Sequence, residues 1–150
     1  MKRLLAFAAA VMMSCGQVQS PGTHCVLVAG VGCGKLVLGK TRRTDFLPDA
    51  RTEDRFSKQG MTFTFDANDT LDSIVVADNR AYKTDRGISP DDREERVLQA
   101  YGKPAESGRP VLYKGENEPI GAVGDRALVY PGILFIIYHE HVWAIVIGPR

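Results

Sequence analysis

The segment Gly34-Lys35-Leu36-Val37-Leu38-Gly39-Lys40-Thr41 has the spacing of a phosphate-binding loop, G-x-x-x-x-G-K-[ST], and follows an apolar run at residues 26–29. In such a loop successive backbone N–H groups wrap the phosphates, the lysine reaches the terminal ones and the threonine holds magnesium. Ile74-Val75-Val76-Ala77-Asp78 supplies an apolar strand ending in an aspartate, as a nucleotide-hydrolysing enzyme needs. Three features count against that chemistry. Lys35-Leu36-Val37-Leu38 is bulky and strand-forming where the loop must bend tightly, and Pro48 stops any helix that follows Thr41. Only 109 residues remain after Thr41, few for a nucleotide-binding α/β domain. The residues favour a strand at 35–38 and Thr41 as the N-cap of a short helix, its hydroxyl accepting a backbone N–H.

Other clusters have plainer readings. His139-Glu140-His141 offers two imidazoles and a carboxylate, but the triplet sits where a hairpin turns, so adjacent side chains point apart and no metal site is expected. Asp91-Asp92 and Glu94-Glu95 fall in the first turns of a helix, where acidic side chains complement the helix dipole. No serine or histidine is spaced as a nucleophile with its base, and Gly-x-Ser-x-Gly is missing. The expectation is a non-enzymatic protein without a cofactor.

The first fifteen residues read as an export signal, with Lys2-Arg3 as the positive region, residues 4–13 as the apolar stretch and Met12-Met13-Ser14-Cys15 as a processing site. Ten apolar residues are too few to span a bilayer. The site resembles a bacterial lipobox, in which Cys15 becomes the lipidated N-terminus, although Met12 stands where leucine is usual. The alternative is secretory cleavage after Ser14-Cys15-Gly16. An exported chain meets little ATP, a further point against the phosphate loop. With Lys2 and Arg3 removed from the 19 basic residues, 17 face 18 acidic ones, which leaves no electrostatic footprint for nucleic acid. Lipidation of Cys15 leaves Cys25 and Cys33 as an even pair, and in an oxidising compartment pairing is the default. A disulfide closing so short a loop stabilises by roughly 2.5 kcal/mol.

The elements that must position these residues follow from periodicity. Residues 16–24 are a polar tether, and 25–150 suit a single domain. Strands are expected at 26–29 and 35–38, a capped helix from Thr41 to Leu47, and a further helical turn around Thr52 and Arg55-Phe56. Met61, Phe63 and Phe65 alternate with Thr62 and Thr64, a half-buried strand that returns at 71–76. Residues 81–84 add a strand. The strongest helix signal runs from Ser89, an N-cap paired with Asp92 and followed by Pro90, through Val97, Leu98 and Tyr101 to Gly102-Lys103-Pro104. Strands at 110–113 and 127–130 flank a polar loop at 114–125, and 133–138 with 142–147 form the strongest hairpin.

This layout predicts an α+β fold: one antiparallel sheet from two degenerate helix-plus-hairpin units, with short helices packed on one face. Met61-x-Phe63-x-Phe65 aligns with Ile133-x-Phe135-x-Ile137, and Ile74-Val75-Val76 with Ile145-Val146-Ile147. Gly39-Lys40-Thr41, Gly87-Ile88-Ser89-Pro90-Asp91-Asp92 and Tyr101-Gly102-Lys103-Pro104 resemble the helix starts and stops of small bacterial envelope lipoproteins of the BamE (SmpA/OmlA) and β-lactamase-inhibitory-protein-like kind. The resemblance spans most of residues 35–147 and implies a non-enzymatic envelope protein that binds a protein partner or holds an assembly together. It also implies lipid anchoring in the envelope, with outer-membrane placement facing the periplasm.

A partner face is expected on the second hairpin. A turn at Glu140-His141 sets Tyr138 opposite Trp143, Ile136 opposite Ile145 and Leu134 opposite Ile147 on one side. The aligned positions of the first hairpin, Thr62, Thr64, Asp66 and Asp72, are polar. Leu134, Ile136, Tyr138, Trp143 and Ile145 therefore form an apolar outer face, covered either by the 114–125 insertion or by another protein.

Overall fold

The computed structural model describes residues 25–46, 55–58, 60–77, 79–108, 111–114, 118–122 and 126–148. The leader with Cys15, the tether, the Leu47-Pro48 helix stop and the turn around Thr52 lie outside them. Strands β1 (Val26–Val28), β2 (Gly32–Cys33) and β3 (Leu36–Val37) precede a 3-10 turn, Arg43–Phe46. Next come β4 (Arg55–Lys58), β5 (Met61–Phe65), β6 (Leu71–Ala77), β7 (Lys83–Thr84) and helix α1 (Glu94–Tyr101). The remainder is β8 (Glu106–Gly108), β9 (Val111–Lys114), β10 (Glu118–Ala122), β11 (Arg126–Tyr130), β12 (Ile133–Tyr138) and β13 (His141–Ile147).

Seven strands form one antiparallel sheet in the order β4-β5-β6-β13-β12-β11-β8. A smaller sheet, β3-β2-β1-β7, joins α1 over its inner face, since Leu27 and Cys33 share one core cluster with Val97, Phe63 and Phe135. The strands β9 and β10 pair with each other.

The expected α+β architecture is overturned, because the chain is mostly β. Local bonding explains the change. The Thr41 hydroxyl accepts the N–H of Val37 at 2.8 Å and so closes the turn behind it, and the described residues that follow make a 3-10 turn in place of an α-helix. Arg55 and Phe56, expected in a helical turn, pair with Thr64 and Phe63 in β4. Covering of the core that several helices were to supply falls largely to β1–β3 and β7. Residues 118–122, expected as loop, are strand β10. Helix α1 also starts late. Asp91 sits at φ 71, a left-handed conformation that no helix continues through, and Ser89 donates its N–H to the Asp92 carboxylate at 2.8 Å. That is the return half of a capping box closing a turn, and helical geometry begins only at Glu94.

What repeats is a three-stranded meander with a latch. Lys58 lies opposite Met61 and Phe56 opposite Phe63 in one; Tyr130 lies opposite Ile133 and Leu128 opposite Phe135 in the other. Gly60 and Gly132 occupy the same turn position at φ 77 and 76. Both following hairpins carry a bulge at the same place, with Asp72 and Trp143 as the extra residues. Where the meanders meet, β6 and β13 pair symmetrically: Val75 faces Val146, Ile74 faces Ile147 and Val76 faces Ile145. Each hairpin turn is bound to the segment leading into a helical turn. Arg43 N–H donates to Asp69 O and Leu71 N–H to Thr41 O, both at 2.8 Å. Glu94 N–H donates to Glu140 O and Val142 N–H to Asp92 O, again at 2.8 Å. Phe46 then packs on Phe63, and Tyr101 on Phe135, with ring centroids 5.0 and 5.1 Å apart.

Candidate functional site

The β12–β13 hairpin closes through His139 and Glu140, at φ 47 and 64. Two left-handed residues make the mirror-image turn whose twist matches that of the flanking strands. The turn therefore lies one residue earlier than expected, which shifts the pairing by two residues, and the bulge at Trp143 recovers one of them. Tyr138 faces His141, Ile136 faces Ala144, and Leu134 faces Val146. Ile145 pairs with Phe135 and is fully buried in the core, so it leaves the predicted face.

Across the outer side of the sheet, Val75, Val146, Leu134 and Val129 form one continuous cross-strand row, all half-buried. The next row is Ala77, Ala144, Ile136 and Ala127, of which Ile136 is only 2% exposed. Tyr138 is 50% exposed, and Trp143 is half-buried. Of the five predicted residues, then, Leu134, Ile136 and Tyr138 share the outer side of β12, Trp143 sits at the bulge beside them, and Ile145 lies beneath. Sequence reasoning missed Val75, Val129 and Val146. The signal for the first and last was the symmetrical junction of β6 with β13, which a hairpin-by-hairpin alignment does not contain.

The open end of the hairpin is polar. The ring of Tyr138 stands edge-on to His139 at 4.2 Å, and His141 Nδ1 lies 2.8 Å from His139 O. Arg126, Ile137, His139 and Glu140 line an open depression of about 550 Å³. The buried Glu94 carboxylate accepts a hydrogen bond from the Arg126 guanidinium. Asp92 is spent on Ser89 and on Arg96, which donates at 2.6 Å, while Asp91 pairs with Arg80. Each of these carboxylates is engaged by a neighbouring basic side chain. Burial raises the Tyr130 phenol above its ordinary 10.0, and the nearby Glu94 charge adds to the shift. Among the described residues, no group of three or more His, Cys, Asp or Glu is placed to hold a metal, and no helix is long and apolar enough to cross a membrane.

The phosphate-loop segment is occupied by its own chain. Val37 N–H goes to the Thr41 hydroxyl, Leu38 N–H to Val31 O, Gly39 N–H to Leu71 O, and the N–H groups of Lys40 and Thr41 both go to Val37 O. None of these donors is left to wrap a phosphate. Cys25 and Cys33, expected as a pair, lie at disulfide distance with Cα atoms 5.4 Å apart.

No protein-family model, curated protein or solved structure matches the chain.

Proposed function

We propose that this protein is a non-enzymatic binding or assembly module of the bacterial cell envelope, carried on a lipid at Cys15 and engaging a protein partner through the outer side of its second meander. The observation that carries this reading is the asymmetry of the large sheet. At equivalent outer positions the first meander has Thr62, Thr64 and Asp66 and the second Leu134, Ile136 and Tyr138, of which Ile136 is itself only 2% exposed, while Val75 and Val146 are apolar in both. A sheet face that only meets water alternates apolar with polar, and apolar residues on both sides indicate that the second side is also covered. An exposed tyrosine beside a half-buried tryptophan is the composition typical of a protein contact. The export signal, the lipobox-like Cys15 and the resemblance to small envelope lipoproteins support the location, with the outer membrane favoured.

The test is capture of partners from detergent-solubilised envelopes with a C-terminally tagged chain, comparing wild type with Tyr138→Ser and Trp143→Ala. Loss of one defined partner at unchanged melting temperature is expected. Variants that melt several degrees lower yet still capture it would place the contact elsewhere. Intact mass of the mature chain checks the anchor: acyl additions on Cys15 are expected, and a soluble chain beginning at Gln17 would remove it from the proposal.

A further inference from the structure

The part of the fold closed by Cys25 and Cys33 is held differently from the rest. Ladders β1–β2, β2–β3 and β1–β7 contain two residue pairs each, whereas β11–β12 contains five and β12–β13 six. Ribbons this short have little stability of their own. Leu27 and Cys33 reach the core, but Val26 and Val31 are 49% and 46% exposed. Besides the two-pair β1–β7 ladder, backbone bonds from Gly30 N–H to Gly132 O, Gly39 N–H to Leu71 O, and Asp85 N–H to Leu27 O, at 2.8, 2.9 and 3.0 Å, join the unit to its surroundings. The bridge thus holds a thin cover over one part of an otherwise continuous core.

We propose that residues 25–40 are a redox-gated cover, which opens as a unit when a dithiol reductant cleaves the Cys25–Cys33 bridge and exposes the apolar inner side of the large sheet beneath it. Attack falls on Cys25 Sγ, since Cys25 is half-buried and Cys33 is 2% exposed. The reductant thiolate forms a mixed disulfide there and Cys33 leaves as thiolate. The reductant's second thiol then releases Cys25, so two electrons and two protons pass to the protein and the reductant ends as its own disulfide. The large sheet stays folded. It keeps α1 on its inner side, both meander latches and the long ladders, and residues 25–40 touch these through the bonds of Gly39 to Leu71 and of Gly30 to Gly132 in the β11–β12 turn.

Hydrogen exchange followed by mass spectrometry tests this on the full chain, with and without dithiothreitol, and on the Cys25→Ala/Cys33→Ala variant. For a loop of this length, amides of β1–β3 are expected to exchange roughly 80-fold faster once the bridge is gone. Those of β5, β6, β12 and β13 are expected to keep their rates. Unchanged exchange in 25–40 would overturn the proposal, as would equal acceleration throughout the large sheet, since the bridge would then secure the whole fold. Gly132→Ala gives a second route with the bridge intact. An added Cβ would stand 2.4 Å from Gly30 N, so the same segment should open in that variant without reductant.

Discussion

The meanders β4–β6 and β11–β13 share turn positions, bulge positions and a backbone latch to a helical turn, yet they differ on the side facing away from the core. Their inner sides match: Met61, Phe63 and Phe65 in one, and Ile133, Phe135 and Ile137 in the other, are all buried. On their outer sides Thr62, Thr64 and Ser73 of the first stand where Leu134, Ile136 and Ala144 stand in the second, while Val75 and Val146 are apolar in both. Register therefore follows the inner apolar set and the turns, as it must when a one-residue slip would exchange the two sides of a strand. The outer positions are released from that constraint and differ in residue type, although Ile136, Ala144 and Ala127 are already buried within the fold.

The sharpest way to break the comparison is at the two equivalent turn glycines. A Cβ on Gly132 would lie 2.4 and 2.6 Å from the backbone N and Cα of Gly30, which cannot move without displacing the β1–β2 turn. On Gly60 it would lie 2.3 Å from Asn79 Nδ2, the end of a side chain. Both sites carry the same left-handed strain for alanine. Gly132→Ala is expected to cost roughly 2–3 kcal/mol and Gly60→Ala about 1 kcal/mol less, from strain plus the difference in what must shift. Urea denaturation compares them, and equal losses would show that backbone strain alone decides both.

A smaller effect distinguishes the hairpin turns. In the first, Asp69 takes the left-handed conformation at φ 58, which aspartate tolerates better than most residues, and its carboxylate accepts a hydrogen bond from Arg43 Nε at 2.8 Å. In the second, two successive residues, His139 and Glu140, take it. Installing the Asn-Gly dipeptide that such a turn prefers, with the double substitution His139→Asn/Glu140→Gly, should stabilise by roughly 1 kcal/mol, whereas Asp69→Gly removes the 2.8 Å ion pair to the buried Arg43 and should destabilise. A rise in melting temperature in the first variant alone is the expected outcome. Stabilisation that came with loss of partner capture would indicate that the strained turn is kept for the contact rather than for the fold.

Legibility in the sequence followed the range of each cause. Inner sides were readable because alternation in 61–65 and the apolar run at 133–137 act within one strand. The Gly102 stop was readable too, and the glycine sits at φ 76 with its N–H bonded to Leu98 O. The failures came from longer-range effects. Strand β4 exists because Arg55 and Phe56 find Thr64 and Phe63 across a turn, whereas their local composition reads as helical. The partner face slipped by one residue at Ile145 because bulge and turn compensate only in part: the earlier turn at His139-Glu140 shifts the pairing by two residues and the extra residue at Trp143 restores one, so Leu134 meets Val146 and not Ile147. Asp72 held the clue, since the first hairpin bulges at the aligned position.

The smallest expected effect concerns a group that only the second meander has. Tyr130 aligns with Lys58, and its buried hydroxyl donates to Gly102 O at 2.9 Å, tying the end of α1 to β11. Because burial and then Glu94 raise its pKa, the folded chain keeps this proton at a pH where the unfolded chain, near the ordinary 10.0, has begun to lose it. Above that pH the folded state binds more protons than the unfolded one, so stability falls as pH rises, and below it the contribution is fully present. Tyr101 is shifted the same way, chiefly by burial, so part of the alkaline loss persists in any single variant. Tyr130→Phe is expected to cost about 1 kcal/mol at pH 8, the value of one hydrogen bond, and to lose less than the wild type on going from pH 8 to pH 11. Urea midpoints of the two proteins should therefore converge at high pH. Parallel curves would mean that the Tyr130 phenol ionises alike in both states, and the alkaline sensitivity would then belong to Tyr101 and the α1 side of the core.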